Sequence, residues 1–174
     1  NERTTAIMPT HLNGRTCNMD EINELANKYS LSIYEDAAQA LGSKFKDKFA
    51  GTFGVASAIS LYPAKILGTL GDGGAVLTND QEVFEKMQLL RDHGRNPETG
   101  EVVSWGFNSR LDNLHAAFLN FFFKDYKNVI SRRREIACLY NEALSEVDQV
   151  KIPFPPNNGD HFDVFQNYEI QAKN

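Results

Sequence analysis

The chain has 174 residues, 41% of them hydrophobic and 24% charged, with a net charge of −5, a composition suited to a globular protein with one core and part of a second. That balance argues against a nucleic-acid partner, because the only basic run, Arg132-Arg133-Arg134, would fan around a helix axis as a solvated face. Cys17 and Cys138 are too few and too far apart for a disulfide scaffold, no Cys/His cluster has metal-ligand spacing, and no apolar run is long enough to cross a bilayer, so the expectation is a cytoplasmic protein with reduced thiols, no metal and no membrane partner.

In chain order, residues 5–9 read as a short apolar strand leading into a loop over residues 10–14. Asn18 is a good N-cap for a following helix, with Asp20 and Glu21 in the first turn and Ile22, Leu25, Ala26 and Tyr29 on one apolar face. Residues 31–34 form a second strand that ends at Glu35-Asp36. This strand–helix–strand alternation predicts a βαβ unit, hence an α/β fold with a mostly parallel sheet flanked by helices. Residues 44–53 alternate charged and aromatic residues around Gly51, as in a hairpin-like surface excursion, and residues 56–61 form a strand of small, buried residues.

A further strand is expected over residues 74–78, and Asp80 caps a helix carrying Val83, Met87 and Leu90 on one face. Residues 95–108 are loop-like, and Asp112 starts a long helical pattern to Leu144 with a break near residues 124–129. Pro153, Pro155 and Pro156 with Asn157-Asn158-Gly159 form a linker, which divides the chain into 1–150 and 151–174. The abrupt start at Asn1, without methionine or signal-peptide pattern, and the strand-like end at residues 164–171 read as cuts through something longer.

In open parallel sheets, ligands bind beyond the carboxyl ends of strands. Asp36 and Gln39 follow one predicted strand; Ser60 and Lys65 follow another, in Ser60-Leu61-Tyr62-Pro63-Ala64-Lys65, which leads to the glycine turn Gly71-Asp72-Gly73-Gly74. Alone, Lys65 reads as a surface lysine, Asp36 as a turn or cap residue and the glycines as an ordinary turn. Together on one sheet edge they suit pyridoxal phosphate, which needs a lysine for its imine and an acidic partner for its pyridine nitrogen. A hydroxyl such as Ser60 can hold the phosphate, and Gln39 can hydrogen-bond the phenolic oxygen.

These segments, with Glu35-Asp36-Ala37-Ala38-Gln39-Ala40 and Gly106-Phe107-Asn108-Ser109-Arg110-Leu111-Asp112, resemble the ordered motifs of the DegT/DnrJ/EryC1/StrS family of pyridoxal-phosphate sugar aminotransferases. The resemblance implies the large domain of the PLP-dependent transferase fold type I, truncated, over 1–150, and over 151–174 a linker with the start of a small C-terminal domain. It implies Lys65 as Schiff-base lysine and proton shuttle, Asp36 on the pyridine nitrogen, Gln39 on the ring oxygen and Ser60 on the phosphate. Asn108 would reach across a homodimer to the partner's phosphate, and His11 and Arg110 would lie near substrate. His93, His115 and His161 receive no role.

The implied reaction moves an amino group from an amino acid, glutamate by expectation, to a nucleotide-linked keto-deoxy sugar, a step of polysaccharide biosynthesis. The alternatives are a regulator or a dehydratase of the same family, or an inactive fragment, since the family's N-terminal portion with its ring-stacking residue has no counterpart in this chain. The family's dehydratases replace the lysine with histidine; Lys65 therefore favours transamination.

Overall fold

The computed structural model describes residues 1–157 and 159–173; Asn158, part of the expected linker, lies outside them. The chain runs β1 (Ala6–Ile7), a 3-10 turn (Leu12–Gly14), α1 (Met19–Tyr29), β2 (Ser32–Asp36), β3 (Lys44–Phe45), β4 (Lys48–Phe49), β5 (Ala56–Ser60) and β6 (Gly74–Thr78). It continues with α2 (Gln81–Arg91), α3 (Asn113–Phe123), α4 (Tyr126–Leu144), β7 (Val150–Lys151), β8 (His161–Phe162) and β9 (Gln171–Ala172).

The main sheet is four-stranded in the order β1-β2-β5-β6. β1, β2 and β5 are parallel, with Asp36 opposite Ala58, whereas β6 returns antiparallel to β5. The α/β class therefore holds, with a mixed edge. β2 extends further than the apolar pattern suggests: Glu35 and Asp36 lie within the strand, because Thr10 and the Pro9 carbonyl continue the ladder beyond β1.

Helix starts follow their caps. The Asn18 side chain accepts from Glu21 N–H, and Asp80 accepts from Glu82 and Val83 N–H, supplying acceptors to donors that have no partner within the helix. The expected break falls at Lys124 and Asp125, between α3 and α4. Apolar faces are only partly used: Met19 and Ala26 of α1 are buried, whereas Leu25 and Tyr29 stand exposed, and neither α2 nor α3 buries a residue. The hairpin turns at Lys46-Asp47 rather than at Gly51. Both residues have positive φ (48° and 62°), the backbone that a tight two-residue turn between twisted strands requires.

Three apolar clusters support these elements. Met19, Ala26, Ile33 and Phe45 fill the space between α1 and the sheet. Ala37, Ala40, Ala50 and Ile59 pack beside the strand ends, and Ile66, Ile130 and Val164 join the loop after β5 to α4 and the C-terminal segment. Residues beyond 150 return to this body, with β8 pairing antiparallel to β3 and β7 to β9. Arg133 and Arg134 are not a solvated face: Arg133 donates to the Phe165 (3.0 Å) and Gln166 (3.2 Å) carbonyls, and Arg134 to the Asp163 carbonyl (2.5 Å). Only Arg132 keeps to the surface, paired with Glu135.

Gly54 lies against β2 so closely that a Cβ would sit 2.3 Å from the Ile33 carbonyl oxygen. Gly54→Ala must displace backbone, and overpacking of this kind costs roughly 1–3 kcal/mol; urea unfolding is expected to show a lower midpoint at unchanged slope.

Candidate active site

Parallel pairing of β2 with β5 carries Asp36 and Ser60 to neighbouring strand ends. With Asp36 opposite Ala58, Ser60 lies two residues further along the adjacent strand. Each polar group there is already held by one local bond. Asp36 Oδ1 accepts from Ala38 N–H (3.1 Å), Gln39 Oε1 from Asn13 N–H (2.8 Å), and Ser60 Oγ from Tyr62 N–H (3.3 Å). The Asn13 bond fixes the orientation of the Gln39 amide: its oxygen faces the backbone donor, so its N–H groups face away.

Lys65 is half-buried in the turn that follows. Its N–H donates to the Tyr62 carbonyl (2.9 Å), and Thr69 N–H closes the loop onto the Leu61 carbonyl (2.8 Å). Ile66, next to the lysine, is buried against Ile130 and Val164. Beyond the turn, the glycines make close approaches that side chains would block. A Cβ on Gly71 would lie 2.9 Å from the His115 ring, and one on Gly73 2.8 Å from the Thr69 methyl. His115, which carried no expected role, thus packs on the glycine turn from the start of α3.

Behind this edge sits a residue that sequence reasoning passed over. Glu35 is 3% exposed and its carboxylate accepts four bonds: from Gly51 (2.7 Å), Phe53 (2.6 Å) and Gly54 (2.7 Å) N–H, and from His11 Nε2 (2.9 Å). Burial pushes its pKa up, but the His11 and backbone donors outweigh that and hold it below the usual carboxylate value.

His11, expected near substrate, is fully buried with both ring nitrogens engaged: Nε2 on Glu35 (2.9 Å), and Nδ1 accepting from Cys17 N–H (3.1 Å). Burial opposes charge on the ring, but hydrogen bonds and charge at Cys17 and Glu35 would push its pKa up to about 9, the Cys17 share requiring a thiolate. Geometry decides between them: the Cys17 N–H needs a lone pair on Nδ1, and the Cys17 thiol donates to the Thr10 carbonyl (3.3 Å). The ring is therefore neutral and gives its one proton, on Nε2, to Glu35. Through these two bonds the ring supports the strand end at Glu35.

Asn108 and Arg110 are tied to Asp92 and to each other. Asn108 bridges to Asp92, and Arg110 donates to Asp92 (2.8 Å) and to Asn108 Oδ1 (3.2 Å), all on an exposed surface. Trp105 and Phe107 beside them are 95% and 69% exposed. A groove of about 660 Å³ along α4, lined by Arg133, Tyr140, Phe165 and Gln166, touches the lysine turn only through Gln166. Asp36, Gln39, Ser60 and Lys65 do not line it. No cluster of metal-ligating side chains occurs among the described residues, and none of their helices is long and apolar enough to cross a membrane.

A lysine turn and an acidic strand end on the carboxyl edge of a parallel βαβ unit define an α/β protein with a candidate ligand site at that edge. The whole of residues 1–174 matches the model of the DegT/DnrJ/EryC1/StrS aminotransferase family, to which the chain belongs. It is 40% identical to a dTDP-3-amino-3,6-dideoxy-alpha-D-galactopyranose transaminase of Aneurinibacillus thermoaerophilus, over 98% of this chain and 46% of the relative. It is 39% identical to a pleiotropic regulatory protein of Geobacillus stearothermophilus, again over 98% of this chain and 46% of the relative. Among solved structures, DesV of S. venezuelae superposes with a TM-score of 0.91 at 35% identity, over 99% of this chain and 46% of DesV. The chain spans about half the length of the relatives it matches. The expected fold-type-I architecture is thus present over that half.

Protonating Glu35 would remove acceptors from buried donors. Because its folded pKa is depressed, its contribution is complete above the unfolded value of ~4.3 and is lost as pH falls through the folded value. Glu35→Gln, which sets an NH2 against N–H donors, is expected to cost about 1–3 kcal/mol at pH 7. It should also flatten the loss of stability between pH 6 and pH 3; thermal unfolding across that range checks both effects.

Proposed function

We propose that this chain forms the cofactor-binding half of a pyridoxal-phosphate sugar aminotransferase, with Lys65 as the residue that carries the cofactor. The observation that bears the reading is the residual hydrogen-bonding capacity of the strand ends. After the local bonds are counted, Asp36 retains its Oδ2, Gln39 its N–H groups and Ser60 its hydroxyl proton. These match a pyridine nitrogen that must stay protonated, a phenolic oxygen that accepts, and a phosphate that accepts, so the residues present fit the group.

Bound pyridoxal phosphate supplies an electron sink for deprotonation at an amino acid's α-carbon. Asp36 would hold the proton on the ring nitrogen, Gln39 would orient the ring through its phenolic oxygen, and Ser60 would hold the phosphate. Lys65 Nζ would anchor the cofactor covalently and, once displaced by the donor amine, act as the base that takes the α-proton and returns it to the other carbon. The donor is taken to be glutamate and the acceptor a nucleotide-linked keto-deoxy sugar, a class supported by the name of the Aneurinibacillus relative. The wider reading includes a cytoplasmic location and a role in polysaccharide biosynthesis.

It also includes a homodimer with shared sites. Trp105 and Phe107, exposed on either side of Gly106 and adjoining Asn108, support a partner surface from which Asn108 would serve the other site. Arg110, fixed by Asp92, would face substrate there. The division at residue 151, with a linker and the beginning of a smaller domain after it, belongs to the same reading. A regulatory role that keeps the cofactor is the second reading, favoured by the name of the Geobacillus relative. Lys65 argues against a dehydratase.

The test is chemical. Incubation with pyridoxal phosphate followed by borohydride should leave a pyridoxyl group on Lys65, mapped by mass spectrometry, and Lys65→Ala should abolish it. Asp36→Asn should keep the adduct yet lower amino transfer by roughly a hundredfold or more. Absence of the Lys65 adduct in the unsubstituted protein would sink the reading. An adduct without amino transfer from any amino acid would favour the regulator.

A further inference from the structure

We propose that Gln166 is a positioning residue for Lys65, fixing the backbone on both sides of the lysine. This rests on the assignment of Lys65 above. The Gln166 Oε1 accepts from Ile66 N–H (3.1 Å), and its Nε2 donates to the Ala64 carbonyl (2.9 Å), so one side-chain amide spans the lysine's two peptide neighbours. A side-chain amide can accept and donate at once, whereas a carboxylate offers no donor and an ammonium no acceptor. Ile66 is buried, and a buried N–H left unpaired is costly. The clamp therefore satisfies a group that the turn itself does not.

The clamp is itself held in place. Arg133 on α4 donates to the Phe165 and Gln166 carbonyls (3.0 and 3.2 Å), and Val164 N–H donates to the Gly14 carbonyl (2.9 Å). Gly14, at φ +88°, lets the segment come so near that a Cβ would lie 2.6 Å from Gln166 N and 2.7 Å from Phe165 N. Phe165 takes a positive φ of 50° to place residue 166, a conformation uncommon for a bulky side chain. Asn167 Nδ2 then donates to Asn13 Oδ1 (3.0 Å), and Asn13 N–H donates to Gln39. Residues 164–167 thus tie the Lys65 turn to the Gln39 side of the site. The effect is to restrict the lysine to one backbone presentation before any ligand arrives.

Two probes separate this from a merely structural role. The first is competitive acetylation by acetic anhydride, which reads the reactivity of Lys65 without cofactor. The second is the rate of pyridoxal-phosphate labelling fixed by borohydride. Both are followed by mass spectrometry on the intact protein, with exposed Lys28 as internal reference. Gln166→Met keeps length and removes both bonds; it is expected to slow cofactor labelling of Lys65 at least tenfold and to alter its acetylation relative to Lys28. Gln166→Glu keeps the Ile66 bond and adds a negative charge beside the turn. It should shift the pH profile of Lys65 acetylation upward while leaving Lys28 unchanged, and it serves as the reading if the methionine variant does not fold. Lys65 reactivity equal to the unsubstituted protein in a folded variant, by both probes, would overturn the proposal. If the unsubstituted protein takes no cofactor at Lys65, the cofactor reading fails instead, and the acetylation profile still decides whether Gln166 governs the lysine.

Discussion

One buried carboxylate organises the edge of the sheet. Glu35 sits at the end of β2, one residue before Asp36, and its oxygens collect three backbone N–H groups of the segment entering β5 together with the proton of His11. Charge-assisted bonds of this kind are stronger than neutral ones, and here they replace solvent around a buried ion. Alternation along the strand then does the rest: with Glu35 turned inward, Asp36 is on the opposite face. The inward anchor and the outward acid are consecutive residues because a strand changes face at every step.

The lysine turn is assembled on a different principle. Local bonds close it, yet what fixes residues 64 and 66 comes from a segment about a hundred positions later. That segment is positioned by an arginine from α4 and by a glycine before α1. Ile66, Ile130 and Val164 add an apolar contact among the same three regions. The carboxyl edge thus combines two constructions, a strand end held from behind by a buried charge and a turn held from the side by a side-chain amide.

These differences explain what could be read from the sequence. Helix starts at Asn18, Asp80 and Asp112 were legible because capping is local, a matter of one side chain and the next three N–H groups. The strand alternation, and the placing of Asp36 and Ser60 at neighbouring strand ends, were legible because parallel topology brings those ends together. The antiparallel return of β6 was not, since an apolar run carries no direction. Glu35 read as the polar end of a strand, its partners being backbone groups that leave no mark in composition. The burial of His11 left no mark in the sequence, because it depends on Glu35 and Cys17, which meet it only in the fold. Arg133 and Arg134 looked solvated because their acceptors are carbonyls from residues 163–166.

The distance along the chain between Lys65 and its clamp has a consequence for biosynthesis. During translation the parallel strands, α1 and the lysine turn are all complete long before residue 166 leaves the ribosome. Until then the turn lacks the lateral restraint that residue 166 supplies. The order of synthesis therefore delays the final form of the lysine turn until the chain has passed α4 and doubled back. The turn reaches the form seen in the folded chain only once the C-terminal segment has docked beside it.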